Sequence, residues 1–140
     1  MSSPLENLCG ADGPLLPEPP DAKEFAGLTG PARARLADAG IATLALESRF
    51  DLAYNAAHGL CLVALRRCGY RAQHRYIVFQ VLPHTLGLGA DVWRVLSRCH
   101  DIRNLGEYEG DLNVTQQLVE DLIGATRRVD SALRALSPPT

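Results

Sequence analysis

The densest run of chemically capable side chains lies between Arg98 and Asp111, where Arg103 and Asn104 precede Tyr108 by five and four positions. On a helix, Asn104 and Tyr108 stand one turn apart, as do Arg103 and Glu107. An arginine is a planar fork that binds phosphate bidentately. A neighbouring amide and a ring hydroxyl add hydrogen-bond donors. His100, one turn before Arg103, is a second titratable ring in reach. Together they make a set able to grip a phosphodiester without metal. The competing reading is structural: Arg103–Glu107 as an intrahelical ion pair of a few tenths of a kcal/mol, with Tyr108 as a ring at the core edge.

A second group is Arg66, Arg67, Tyr70, Arg71, His74, Arg75 and Tyr76, a segment with no acid. Interleaved cations and aromatic rings suit a nucleic-acid backbone with stacked bases. Arg66 and Arg67 equally complement a helix C-terminus, leaving the rest to solvate a turn. A third group is Asn55 and His58, three apart on one helix face, read either as groups reaching toward the Arg103 helix or as a satisfied buried pair. The histidines at 58, 74, 84 and 100 lack HxH or HxxxH spacing, so no metal site is expected. No glycine-rich phosphate loop and no GxSxG occurs, and no cofactor is expected.

The elements that must position these groups read as helices. Residues 1–20 carry Pro4, Gly10, Gly13, Pro14, Pro17, Pro19 and Pro20, an extended arm whose leucines can dock on the body. Residues 21–137 form a single bundle. A first helix starts at Asp21 with Glu24 in capping-box spacing, is interrupted at Thr29-Gly30-Pro31, and resumes to about Ala39. A second helix from about Thr43 to Cys68 carries a 3.6-period stripe through Phe50, Ala57, Leu60 and Ala64 and is the longest element. Ile77 to Leu82 looks strand-like, but no partner strand is apparent, so the segment reads as a short buried helix ending near Pro83 or Gly87. A fourth helix spans about Ala90 to Tyr108. A fifth follows Thr115 to about Leu136, with Leu118, Leu122, Ala125, Val129 and Leu133 as its stripe. The fold class is all-α, an up-and-down bundle of four to five helices.

Composition bounds the rest. The 140 residues suit one domain, and 46% hydrophobic content suffices for a core. A net charge of −2 gives no global sign of nucleic acid or membrane. Charge is nonetheless uneven: residues 61–100 are net positive and both flanks net negative. Every basic residue but Lys23 is arginine, which GC-rich coding also produces. Cys61 and Cys68 lie roughly 10 Å apart along one helix, too far to bridge. The four cysteines, Cys68 at the end of the second helix's stripe among them, therefore read as buried free thiols in a reducing compartment, and with no signal-type N-terminus or long apolar run the expected location is the cytoplasm.

Across residues 43–136 the chain resembles the HEPN domains of toxin–antitoxin and nucleotidyltransferase-associated systems. The likeness rests on Arg103 followed by Asn104, a ring at 108, the long helix with Tyr54-Asn55-Ala56-Ala57-His58, and the acidic turn before the last helix. Such domains carry an Arg-x4-His motif. Here Arg103 takes the Arg position, Asn104 the polar one, and Tyr108 the position of the His. The resemblance implies a helical bundle, RNA as ligand, a homodimer with two Arg103 sites at a composite cleft, and a nucleotidyltransferase or antitoxin protein as partner. Tyrosine titrates near 10, too high for a base at neutral pH. Glu107, Glu109 and Asp111 add negative charge around the motif. The implied function is an RNA- or partner-binding module with weak or no catalysis. The alternatives are an active metal-independent endoribonuclease using Arg103, Asn104 and Tyr108, helped by His100, and a helical interaction protein without an RNA role.

Overall fold

The computed structural model describes residues 3–10, 12–110 and 113–136, with the side chains of 107–109 outside the described set. It is an all-α bundle with one small strand pair. The helices are α1 (Ala22–Ala39), α2 (Leu46–Arg67), α3 (Ile77–Gln80), α4 (Leu82–Thr85), α5 (Ala90–Glu109) and α6 (Gln116–Arg134). Strand β1 (Leu15–Pro17) pairs antiparallel with β2 (Tyr70–Ala72), Leu16 opposite Arg71.

α2 sits at the centre because it is apolar on more than one face. Phe50, Ala53, Ala57, Leu60, Cys61 and Leu65 are all fully buried. α1 and α6 pack along it, and α5 closes the bundle against α6 and α3. α1 comes closest where Ala32 faces Gly59, since a Cβ on Gly59 would lie 3.2 Å from the Ala32 Cβ. Arg49, buried, donates from Nε to the Ala39 carbonyl at 2.8 Å and so covers an orphan oxygen at the end of α1. The α6 stripe through Leu118, Leu122, Ala125, Val129 and Leu133 is buried as its periodicity requires. Thr115 caps this helix by accepting from the Leu118 amide.

Four features differ from the sequence reading. α1 is not interrupted: Pro31 lies within it, on an exposed face shared with Gly27, the residue whose carbonyl loses its partner. Residues 77–85 form two short helices rather than one, broken at Val81. Cys68 ends the α2 stripe exposed, as the C-cap residue, instead of buried. A strand pair exists, and its second member comes from the arm. Leu15 is fully buried and Leu5 is 6% exposed, so the arm adds to the core. Gly69, at φ +90°, makes the turn that sends the chain from α2 into β2. The Glu18 amide then donates to the Gly69 carbonyl, and the Gln73 amide to the Pro14 carbonyl, each at 2.8 Å.

Candidate functional site: an arginine, tyrosine and histidine cluster around Tyr54 and His100

Two helix faces and one loop meet at the site. α2 contributes Asp51, Tyr54, Asn55 and His58, at offsets of three, four and seven that share one face. α5 contributes His100, Arg103 and Asn104 by the same periodicity. The segment between β2 and α3 contributes Arg75 and Tyr76.

His100 is the hub. It is buried, and both ring nitrogens are engaged: Nδ1 lies 2.7 Å from the Tyr54 hydroxyl and Nε2 lies 2.9 Å from Asn104 Nδ2. A neutral imidazole has one donor and one acceptor nitrogen, and Tyr54 and Asn104 can serve either tautomer by turning a hydroxyl or an amide. Rings surround it. The Tyr76 centroid is 5.1 Å away, Phe79 6.0 Å and Tyr54 6.1 Å. Such packing fixes the imidazole in place.

Two guanidinium groups converge on Tyr54. Arg103 places its Cζ 4.9 Å from the ring centroid and Arg75 places its own at 5.8 Å. Each gains a cation–π contact. Both lie close enough to the histidines to perturb them. His58 is pushed down to about 4, first by burial and then by Arg75, His100 and Arg103. His100 is also lowered, first by burial, with Arg103 and Arg75 adding to it and Asp101 opposing. Both rings are therefore neutral at pH 7, beside the guanidiniums of Arg75 and Arg103. Among the described residues, Asp51 places its Oδ1 3.9 Å from Arg103 Nε, and with a side chain 62% exposed this pair is weak.

The basic segment 66–76 divides. Arg66 is 1% exposed. It contacts Glu24 at 2.5 Å and donates to the carbonyls of Glu18 at 3.0 Å, Tyr70 at 3.3 Å and Pro19 at 2.8 Å. Arg71 pairs with Glu18 and with Glu24 at 2.7 Å. The acids missing from the segment come from the arm and the first turn of α1, so Arg66 and Arg71 do not present an open basic surface. Arg67 points elsewhere, lining a hollow with Phe25, Arg33 and Leu133. Tyr70 stands in β2 opposite Pro17. Of that segment, Arg75 and Tyr76 join the Arg103 site.

The Tyr108 backbone lies one turn beyond Asn104 on α5, while its side chain, those of Glu107 and Glu109, and Asp111 lie outside the described residues. His58 lies near enough to His100 and Arg103 of α5 to be perturbed by them, whereas Asn55 bonds the Asp51 carbonyl and lines the cleft between α1 and α2. Tyr54 and Asp51 are site residues that the sequence did not single out. The available signal was a polar stripe on an otherwise apolar helix, Asp51, Asn55 and His58 in helical register around a buried tyrosine.

No family model, curated protein or solved structure matches the chain. No helix among the described residues is long and apolar enough to cross a membrane.

Proposed function

We propose that the arginines over Tyr54, beside His100, bind the phosphate backbone of RNA, and that the protein is a HEPN-like module with weak or no catalysis. The observation that carries this reading is the convergence of Arg103 and Arg75 on one tyrosine ring beside two neutral histidines. Two guanidiniums on one ring offer a phosphate two sets of charge-assisted donors. Asn104 adds an amide beside His100. In this reading the module is cytoplasmic, dimerises so that two Arg103 sites flank one cleft, and works beside a nucleotidyltransferase or antitoxin protein.

Weak catalysis follows from His100. A general base needs a nitrogen lone pair facing the 2′-hydroxyl, and both His100 nitrogens are engaged by Tyr54 and Asn104. One observation favours the second reading, a metal-independent endoribonuclease: the Asn104 amide is a small, displaceable cover on Nε2, next to Arg103. A substrate that draws Asn104 aside would expose a base beside a phosphate ligand.

The test is fluorescence anisotropy with single-stranded RNA over a salt series, paired with incubation of the same RNA in EDTA. Binding should weaken with salt and weaken further in Arg103→Ala, with little cleavage. Brisk cleavage lost in His100→Gln would favour the endoribonuclease. Absence of binding at low salt would leave a helical interaction protein. Sedimentation at tens of micromolar should show a dimer.

A further inference from the structure

We infer that the cleft between α1 and α2, next to the Arg103 site, is a nucleoside subsite: it takes one base against Leu28, Pro31 and Leu62, with Asn55 and His58 reading the base edge and Arg75 and Arg35 holding its phosphate. The inference rests on the phosphate-binding reading, because Arg75 and Asp51 belong to both places.

The cleft has a volume of about 650 Å³, within the ~300–1,000 Å³ typical of small-ligand sites. Its floor is α2 at Gly59 and Leu62, and its wall is α1 at Gly27, Leu28 and Pro31. Two glycines without side chains and three apolar residues leave a smooth surface suited to a flat ring. A smaller hollow of about 190 Å³ shares His58, Leu62 and Arg75 and continues toward Gln73 and His74, so the space is a trough rather than an isolated dent.

Polar groups share this surface with the apolar ones: His58, Asn55, Arg35, Arg75 and the exposed carboxylate of Asp51. His58 is half-buried, lines both hollows, and makes no hydrogen bond among the described residues; its one ring contact is edge-on to Phe79 at 6.2 Å. Held neutral at pH 7, it offers one donor and one acceptor nitrogen, which matches the mixed edge of a base better than an anion. Asn55 is oriented by donating from Nδ2 to the Asp51 carbonyl at 2.9 Å, and its amide retains an oxygen and a second N–H to offer. Pro31 has no N–H to return to the Gly27 carbonyl, so that oxygen is a further acceptor on the α1 wall. Arg35 and Arg75 supply cations at the rim. Apolar walls, a neutral donor–acceptor pair and two arginines against one acid fit a nucleoside phosphate better than a bare phosphate or an apolar peptide.

The blocking variant is Gly27→Leu. A Cβ at Gly27 meets nothing within 4 Å, so the side chain enters open space, and leucine is the better helix former. The variant should melt at or above the wild-type temperature. The probes are the four nucleoside 5′-monophosphates, ribose 5-phosphate and a short single-stranded RNA. At least one mononucleotide should bind roughly ten-fold tighter than ribose 5-phosphate, the scale of one or two buried hydrogen bonds. Gly27→Leu should erase that margin and leave ribose 5-phosphate binding unchanged, and His58→Leu should reduce it. Equal binding of mononucleotide and ribose 5-phosphate, or a margin that survives Gly27→Leu, overturns the subsite. RNA binding that needs Arg103 but ignores Gly27→Leu overturns the subsite and leaves the RNA reading standing. Gly27-dependent mononucleotide binding without RNA binding supports the subsite as a site for free nucleotides and removes the RNA reading. No binding of any probe removes both.

Discussion

Replacing Arg66 with methionine keeps most of the side-chain volume and removes a buried cation with four partners. At 1% exposure the guanidinium gains nothing from water. Without it, the Glu24 carboxylate loses its 2.5 Å contact, and the Glu18, Pro19 and Tyr70 carbonyls lose their donors. Deleting one partner of a buried pair costs about 3–5 kcal/mol, because the remaining groups keep their desolvation without compensation. Glu24 is 28% exposed and can recover some water, which favours the lower half of that range. At about 3 °C per kcal/mol for a chain of this size, Tm should fall by roughly 10 °C. The loss should also be local. Glu18 and Pro19 belong to the arm, so β1 should come away from β2 before the bundle melts. Calorimetry reads the first effect and limited proteolysis near Leu16 the second. Glu24→Gln should cost less, since its carboxamide still accepts one bond, and the double variant should cost less than the two singles added. The reasoning is refuted if Arg66→Met melts within about 3 °C of wild type and keeps its arm protected.

Other outcomes follow from the same geometry. Arg75→Glu should weaken RNA binding across sequences and lower the salt slope by about one, whereas Arg71→Glu should act mainly on melting, through its loss of Glu18 and Glu24; equal binding losses in anisotropy would contradict this. Stability should fall on acidification from pH 7. His58 sits near 4 in the folded state against about 6.5 unfolded, so the unfolded chain takes the proton first and the stabilisation, full above 6.5, is lost progressively toward 4. His100 is shifted in the same direction, and Glu24, lowered first by its bond to Arg66 and then by that to Arg71, adds a further loss below its unfolded value. Urea midpoints at pH 7 and pH 5 check the sign, with at most about 2 kcal/mol from His58 at pH 5. Tyr108→His should raise RNA cleavage in EDTA, by up to ~10²–10⁴-fold if the ring supplies a general acid or base, and Arg103→Ala should abolish the gain; an unchanged rate would place no proton transfer at position 108.

Much of the fold was legible because helices announce themselves locally. The 3.6-residue stripes of α2 and α6, the Asp21 cap and the start of α6 after Thr115 follow from neighbours a few positions apart, and the structure keeps them. The Arg103–Asn104 pair was visible for the same reason, as was His100 one turn before it. Pro31 misled because a proline breaks a helix only when the lost hydrogen bond cannot be replaced, and exposure of that face is a tertiary property. β2 was missed because its partner strand lies more than fifty residues earlier, in a proline-rich stretch that has no strand period of its own.

The sequence by itself determined the all-α class, the central helix, and the presence on α5 of an arginine, an amide and a ring in one register. Tertiary structure alone decided which charges remain available. Arg66, Arg71 and Arg75 are alike in sequence, yet two are paired by Glu18 and Glu24 while the third lies over Tyr54. Periodicity reports which way a side chain leaves its own helix. It cannot report which groups arrive from forty or fifty residues away, and electrostatic energy depends on that distance through space.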